Sequence, residues 1–275
     1  MMISPFTPLF FIHRKSDGVD SEYIQTFSTS DRILLQIFGS ASVMPSAYVV
    51  DELAGATLYK IDFNHWTMND DVTLWFTTIT LSSGIYSVYI DGIGKSELFQ
   101  VTADRKILAR TTLIQYSARN NRQRTDVVFF IDGMQYFFDF RVPGGFKDSN
   151  WTFSVESEQF MTQNADIVQL YNLEATQKKF TLGSSMGVPI WFGEMLNRIL
   201  TCSHVYFDGI KYCRKESGVP ELTIQLDGVN SYVFTQALQQ SVNLDPVIEQ
   251  NNRAIIRRAD ANTYRAVSQT IRQIV

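Results

Sequence analysis

The sequence has few cysteines, no long apolar run and none of the common catalytic signatures. Two cysteines in 275 residues do not make a disulfide framework, so we expect reduced thiols. No apolar stretch approaches the ~18 residues of a membrane-spanning helix, which predicts a protein without a membrane partner. Residues 1–15 have no basic residue before their apolar run and no small-residue cleavage site, so they predict a first strand rather than a signal peptide.

Catalytic motifs are missing as well. The chain has no Gly-x-Ser-x-Gly elbow, no phosphate-binding loop and no dinucleotide-binding fingerprint. Small residues at 183–187 precede a predicted helix, but they lack the lysine of a phosphate loop and favour a plain turn. We therefore expect a protein that is not an enzyme and binds no cofactor.

One group of residues has the composition of a partial metal site. If Asp208-Gly209 forms a turn, Cys213 lies opposite His204, with Cys202 diagonal to it on the same face. A structural zinc site needs four ligands, and no fourth candidate accompanies these three. Ordinary burial of free cysteines is the favoured interpretation, so no metal is expected.

What the sequence has in abundance is β-hairpin turns. Apolar runs at 127–131 and 134–140 are joined by Asp132-Gly133, which supplies the positive φ angles of a two-residue type I′ turn. The same dipeptide between apolar runs recurs at Asp91-Gly92, Asp208-Gly209 and Asp227-Gly228. This repetition predicts a β-rich architecture.

The predicted fold class is mainly β, with two β-sandwich-like domains and a C-terminal α-helix. The N-terminal sandwich covers 1–104, the second β-rich domain 105–245, and the helical arm 246–275. Strands of the first domain are predicted at 8–12, 33–38, 58–63, 72–81, 85–90 and 97–101. Strands of the second are predicted at 111–118, 151–155, 167–172 and 179–182, with a break at Pro143-Gly144-Gly145.

The second domain also contains one predicted α-helix near 189–200. Pro189 suits the first helical position. The apolar residues that follow form one stripe at helical spacing, which predicts packing against a sheet. They are Trp191, Phe192, Met195, Leu196, Ile199 and Leu200.

The last thirty residues predict a helix with a narrow apolar seam and a cationic face. Asp245-Pro246 provides an N-cap followed by proline at the first helical position. Such a helix docks on its own body or on a neighbouring copy; binding to a membrane surface is the weaker alternative. The candidate subunit-contact residues are Arg253, Arg257, Arg258, Tyr264, Val267, Ile271 and Ile274.

Charge is unevenly distributed along the chain. Residues 1–104 carry a net charge of −7, residues 105–245 are neutral, and residues 246–275 carry +3. An acidic front and a basic tail suit head-to-tail contact between copies, whereas scattered surface charge that keeps the protein soluble is the alternative. The basic loop 119–124 lacks interleaved aromatics, so it predicts a solvated loop or subunit contact and no nucleic-acid recognition.

Four motifs between residues 110 and 225 carry a family resemblance. They are FRVPGGF at 140–146, GVPIWFG at 187–193, LNRIL at 196–200 and VYFDGIKYCR at 205–214. In this order they resemble structural proteins of tailed phages of Bacteroidales, including crAss-like phages. The N-terminal domain and the terminal helix are outside the resemblance.

The resemblance implies a subunit of the phage tail, baseplate or neck. Identical copies would form a ring of about six or twelve subunits through heterologous contacts. Its other partners would be tail, neck or portal-associated proteins, and its location the virion, assembled in the host cytoplasm. The alternative is a carbohydrate-binding module or adhesin, in which Trp66, Trp75 or Trp151 would present an aromatic platform.

Overall fold

The computed structural model is mainly β and contains several sheets, which confirms the mainly β, sandwich-like character predicted from the sequence. The described residues are 1–11, 23–40, 42–122, 124–161, 163, 167–185, 187–215, 220–226, 231–240, 256–258 and 264–266. Met1–Phe153 and Gln177–Gln240 form one compact unit, and Ser154–Thr176 and Ser241–Val275 form a second. The domain limits after residues 104 and 245 stay predictions.

The first ten strands build two sheets with a shared core. The strands are β1 (Met2–Ile3), β2 (Gln25–Ser28), β3 (Ile33–Gly39), β4 (Ala47–Asp51), β5 (Ala56–Lys60), β6 (Asn64–Thr67), β7 (Thr73–Ile79), β8 (Gly84–Ile90), β9 (Gly94–Lys95) and β10 (Phe99–Thr102). One sheet has the order β1-β3-β7-β6, and the other β2-β10-β8-β4-β5 with β9 beside β8. Alternate side chains such as Leu35, Val88 and Phe99 fill the core between them, as in a sandwich.

Two predicted strands of this region differ from the structure. In the described part of the predicted strand 8–12, Phe11 makes a single bridge to Ser96. The predicted strand 58–63 ends early, because the chain leaves β4 at Lys60 and pairs with β7 only from Asn64 onward. Ile61 and Phe63 stay buried across this change of sheet, so the alternation continues although the partner strand does not.

The middle of the chain forms a seven-stranded sheet with one helix packed on it. Its elements are α1 (Arg105–Leu108), β11 (Thr111–Ser117), β12 (Phe130–Ile131), β13 (Met134–Gln135), β14 (Phe138–Met161), β15 (Ile167–Leu182), α2 (Ile190–Ile199), β16 (His204–Phe207), β17 (Ile210–Arg214), β18 (Glu221–Leu226) and β19 (Ser231–Gln240). The sheet order is β15-β14-β11-β16-β17-β19-β18, while β12 and β13 pair separately.

Helix α2 confirms the predicted helix and its apolar face. Phe192, Met195, Leu196 and Ile199 are buried in the same cluster as Phe140 and Phe207. Close contact with the sheet depends on Gly193, since a Cβ there would lie 2.7 Å from the Phe234 ring. The helix therefore lies directly on β19.

The predicted strand break at residues 143–145 is wrong, because β14 continues through it. Gly144 has a φ of +120°, and its missing side chain lets the backbone approach Thr181 closely. The amide of Gly183 donates to the carbonyl of Pro143 at 2.8 Å. Proline and glycine thus form an irregularity within one long strand. The separately predicted strands 167–172 and 179–182 are likewise one strand, β15.

The Asp-Gly turns have three different outcomes. Asp132-Gly133 and Asp208-Gly209 have positive φ at both residues and close two-residue hairpins, as predicted. Asp91-Gly92 is wrong as a two-residue turn, because Ile90 pairs with Gly94 and leaves three residues in the loop. The Asp227-Gly228 turn lies outside the described residues, but Leu226 and Ser231 on either side of it are paired.

The outer face of β3 connects the sandwich to the second sheet. Leu34 packs in the cluster around α2, on the side opposite Leu35. The Gln36 amide donates to the Val128 carbonyl at 2.6 Å and accepts from the Val128 amide at 3.1 Å. The Gln36 side chain thus gives the Val128 backbone two hydrogen bonds, and β3, which pairs with β1 and β7, is buried on both faces.

The predicted C-terminal helix is wrong at the six residues that the structure describes there. β20 (Ile256–Arg258) and β21 (Tyr264–Ala266) pair as short antiparallel strands. Ile256 is β-branched and Tyr264 is aromatic, and both residue types favour strand geometry. The rest of the predicted helix lies outside the described residues. Within the described part of the chain, neither α-helix combines the length and hydropathy of a membrane span.

Candidate functional site

The first candidate site is the end of the β14–β15 hairpin, called here the hairpin end. It is defined by four exposed apolar residues, Phe160, Met161, Ile167 and Val168. Phe160 is 50% exposed and Met161 69%, while Ile167 is 63% exposed. Successive side chains of a strand point to opposite faces, so the hairpin end is apolar on both faces.

The second candidate site is a groove of about 660 Å³ in the first compact unit, called here the sheet groove. Its floor is a row of side chains across three adjacent strands of the large sheet. The register places Gln115 of β11 opposite both Asp139 of β14 and Tyr206 of β16. Each residue follows a core residue in alternation, so all three lie on the sheet face away from the core.

Two further segments line the sheet groove. Asp31 and Arg32, from the turn before β3, approach Asp139 on one side. Tyr136 and Phe137, which follow β13, provide aromatic surface on the other side. The Phe137 and Tyr206 ring centroids are 6.1 Å apart. The groove therefore combines carboxylate, amide and guanidinium groups with three half-buried aromatic rings.

Hydrogen bonds fix the two carboxylates of the groove. Asp139 accepts from the Gln115 amide and from the Arg32 backbone, both at 2.9 Å. Asp31 accepts from the Arg141 guanidinium through both of its oxygens, at 2.6 and 2.8 Å. Burial raises the pKa of Asp139 above its ordinary value, although its two hydrogen bonds oppose the shift.

Polar groups of the lining retain unused hydrogen-bonding capacity. In the described part of the chain, the hydroxyls of Tyr136 and Tyr206 have no hydrogen-bond partner, and neither does the Arg32 guanidinium. A tyrosine hydroxyl both donates and accepts, whereas a guanidinium only donates. These groups are available to a polar ligand.

The groove residues are not predicted from the sequence, although the sequence pattern marks the positions of the groove floor. Asp139 stands between two buried phenylalanines, and Gln115 lies between Ile114 and Tyr116. Tyr206 interrupts Val205 and Phe207 in the same way. Such alternation identifies outward positions on each strand, but only the register brings the three strands together.

A smaller cavity of about 180 Å³ lies beside Cys202. Arg124 there donates to both oxygens of Asp126 and lies over the Phe6 ring. Burial raises the pKa of the Cys202 thiol to about 12, although Arg124 opposes the shift. Because the thiolate is the reactive form, burial favours the less reactive, protonated thiol at this position.

The basic loop 119–124 has a structural role at several described positions. Asn121 accepts from the amides of Phe129 and Phe130 at 2.9 Å and donates to the Phe130 carbonyl. Arg124 pairs with Asp126. These contacts hold the segment that covers β3.

The partial metal site predicted as an alternative is not assembled in the described residues. Tyr206 pairs with Lys211, which gives the predicted register between β16 and β17. Cys213 is exposed, and its thiol contacts the Gln239 carbonyl at 3.5 Å. Among the described residues, no three histidine, cysteine or acidic side chains converge as a ligand set.

The structure describes some of the predicted subunit-contact residues and some of the tryptophans considered for a carbohydrate platform. Arg257, Arg258 and Tyr264 lie in β20 and β21, whereas Arg253, Val267, Ile271 and Ile274 lie outside the described residues. Trp75 is buried in the sandwich core, which favours the structural interpretation of this tryptophan. Trp66 is half-buried beside β7, and the Trp151 side chain lies outside the description.

Comparisons with known proteins do not identify a family. No protein-family model and no curated protein matches the chain. Among solved structures, it is similar to a chain of "Crystal structure of Dpr2 Ig1-Ig2 in complex with DIP-Theta Ig1-Ig3", with 8% identity and a TM-score of 0.18 over 82% of this chain and 90% of that chain. A likeness at this level carries no argument about function.

Proposed function

We propose that the chain is a non-enzymatic structural subunit of a phage virion, whose identical copies form a ring in the tail, baseplate or neck. The observation that carries the proposal is the hairpin end, where large apolar side chains are exposed on both strands. Large exposed apolar side chains concentrated in one part of a fold favour a contact with another molecule. The occupant we propose is a second copy of this chain.

Apolar side chains on both faces of the hairpin end favour insertion between neighbours. A hairpin that packed on a single surface would need only one apolar face and would keep the other polar. Phe160 and Met161 point to opposite faces, and so do Ile167 and Val168. Burial between two surfaces would remove all four from water, at a gain of about 25 cal/mol per Å² of apolar area.

A ring of heterologous contacts also needs a second, different surface on each copy. The edge strand β5 is one such surface, because all five of its residues are exposed and its outer hydrogen-bonding groups lie at a sheet edge. Leu58 is 49% exposed, and Leu53 in the preceding turn is 75% exposed. The opposite net charges of residues 1–104 and 246–275 support head-to-tail contact.

The phage assignment is supported by the ordered motifs between residues 140 and 214. They predict tail, neck or portal-associated proteins as further partners and the virion as the location. The seven C-terminal contact candidates stay part of this proposal. Genes for portal, terminase or tail proteins beside the coding sequence are expected and would test the assignment directly.

The assembly test combines native mass spectrometry with sedimentation velocity over a concentration series. The full chain is expected to form a discrete ring-sized oligomer. Replacing Phe160 and Ile167 together by serine is expected to shift the population to monomers, because the apolar contact is lost. Circular dichroism of the variant should remain that of the native chain, since both side chains are exposed.

The matched control is Leu222→Ser, which changes a residue of similar exposure on a different strand, β18. This variant should assemble like the unchanged chain. A chain that stays monomeric at the highest concentration, and that no virion protein recruits, would contradict the proposal. Equal loss of assembly in both variants would show that the hairpin end has no special role.

A further inference from the structure

The sheet groove has the composition of a site for a small polar ligand rather than for a neighbouring protein. Its volume of about 660 Å³ lies within the range of about 300–1,000 Å³ typical of ligand pockets. Aromatic rings of Tyr136, Phe137 and Tyr206 adjoin the polar side chains of Asp139 and Arg32. This combination fits a ligand whose apolar C–H faces pack on the aromatic rings and whose hydroxyl groups form hydrogen bonds with the carboxylate and the guanidinium.

Charge around the groove favours a neutral ligand. Two carboxylates, Asp31 and Asp139, are accompanied by two guanidinium groups, Arg32 and Arg141. Arg141 is held by Asp31, so it is not available to an external anion. A phosphate or sulfate site would instead need an excess of available cationic donors.

The two carboxylates are arranged for binding and not for glycoside hydrolysis. Hydrolysis needs one carboxyl group as acid and a second as base or nucleophile. Both oxygens of Asp31 are occupied by Arg141, and one also accepts from the Ser28 amide. Asp139 keeps acceptor capacity, because a carboxylate has about four lone-pair sites and two protein donors reach this one.

We propose that the sheet groove binds a neutral saccharide. The C–H faces of the sugar pack on the rings of Tyr206 and Phe137, while its hydroxyls donate to Asp139 and accept from the Arg32 guanidinium. The Tyr136 and Tyr206 hydroxyls complete the hydrogen bonds. This goes beyond assembly, because it gives the subunit a surface that recognises a glycan.

The groove is pre-arranged for this ligand. The carboxylate of Asp139 is fixed by Gln115 and by the Arg32 backbone, and Asp31 is fixed by Arg141. The floor belongs to the central strands β14, β11 and β16 of one sheet. Binding therefore requires little ordering of the two carboxylates, which favours measurable affinity for a small sugar.

The test is a titration of the full chain with saccharides, in which binding is measured by calorimetry and by NMR of isotope-labelled protein. The probes are glucose, galactose, mannose, N-acetylglucosamine and their short oligosaccharides, with a sulfated sugar and a neutral peptide as comparisons. At least one neutral sugar is expected to bind and to shift the signals of Gln115 and Tyr206. Tyr206→Ala and Asp139→Asn should each weaken binding about tenfold, because each removes one principal contact.

Tyr89→Ala is the matched control, since Tyr89 is exposed on β8 in the sandwich and not in the groove. It should leave affinity unchanged. Tyr206→Phe separates ring packing from the hydroxyl and should retain part of the affinity. Circular dichroism and thermal unfolding of each variant distinguish lost binding from lost folding.

The proposal is overturned if no neutral sugar binds, or if binding survives both Tyr206→Ala and Asp139→Asn. Preference for the sulfated sugar would overturn the neutral class. Shifts in the groove caused by protein concentration alone would assign it to a second copy of the chain. Because oligomeric state is measured separately, failure of saccharide binding leaves the assembly test intact.

Discussion

Arg141 donates to both carboxylate oxygens of Asp31, although the two residues lie 110 positions apart in the sequence. Their side chains are 11% and 1% exposed, so the ion pair is buried. Asp31 precedes β3 of the sandwich, and Arg141 belongs to β14 of the large sheet. The pair therefore connects two sheets and forms part of the structure behind the sheet groove.

Replacing Asp31 by alanine is expected to destabilise the fold by about 3–5 kcal/mol, because it leaves the Arg141 guanidinium buried without its counter-charge. Urea unfolding followed by fluorescence measures the loss. Lys95→Met is the control, since its ion pair with Glu52 is half-exposed and should be worth at most ~1 kcal/mol. Similar losses in the two variants would show that burial of the Asp31 pair does not matter.

Gly193 is expected to be the position at which helix α2 approaches the sheet most closely. Alanine normally stabilises a helix relative to glycine by about 1 kcal/mol. Here the new Cβ would collide with the Phe234 ring, so Gly193→Ala should destabilise by about 1–3 kcal/mol through overpacking. Chemical denaturation gives the difference in unfolding free energy.

The Phe234→Leu background provides the control for this collision. With a shorter side chain in place, Gly193→Ala should cost less than in the unchanged chain, or even stabilise it. Such non-additivity is expected of residues in contact. If Gly193→Ala lowers the unfolding free energy equally in the unchanged chain and in the Phe234→Leu variant, the destabilisation does not arise from contact with the Phe234 ring.

Much of the fold follows from local pattern in the sequence. Alternation locates β3, β7 and β8, and helical spacing locates α2 to within a residue. The continuity of β14 was not predictable in this way. Pro143-Gly144 has the composition of a strand break, and only the close approach of Thr181 and Gly183 holds it within the sheet. Tertiary contact here overrides the local signal.

The candidate sites depend on information that a single stretch of sequence does not contain. Asp139, Gln115 and Tyr206 are adjacent only because β14, β11 and β16 pair in one register. Nothing local to Asp31 indicates a partner at Arg141. The exposure of Phe160 and Met161 is likewise a tertiary property, because apolar strand residues are ordinarily assigned to a core.

The two-residue turn at Asp208-Gly209 gives a prediction about backbone conformation alone. Gly209 has a φ of +82°, and a Cβ there would meet no atom within 4 Å. Gly209→Ala should therefore cost about 1–2 kcal/mol through left-handed strain and not through a clash. Asp208→Asn should change stability by less than about 0.5 kcal/mol, because asparagine tolerates this conformation and can still accept from the Leu113 amide. Thermal unfolding of both variants tests the contrast.

The two cysteines should differ in reactivity. Burial raises the pKa of both thiols, but Cys213 is exposed, whereas the pKa of Cys202 is raised to about 12. Iodoacetamide at mildly alkaline pH should therefore label Cys213 first and Cys202 only after unfolding, because the thiolate is the nucleophile. Peptide mass spectrometry distinguishes the sites, and Cys213→Ser should abolish the fast phase. Equally fast labelling of Cys202 in the native protein would contradict its burial.

Asp139 and Asp126 should titrate on opposite sides of the ordinary aspartate pKa of 3.8. Burial raises the pKa of Asp139, while the hydrogen bond from Arg124 lowers the pKa of Asp126. Ionisation of Asp126 therefore stabilises the fold, and this stabilisation is lost as pH falls through its lowered pKa. Ionisation of Asp139 opposes folding, with the full effect above its raised pKa and none below the unfolded value.

Carboxyl-carbon NMR over an acid titration measures both pKa values directly. Arg124→Met should return the pKa of Asp126 toward 3.8 and leave the pKa of Asp139 unchanged. A pKa of Asp139 at or below 3.8 would contradict the prediction, because it would mean that solvent reaches the groove floor more freely than the burial of Asp139 implies.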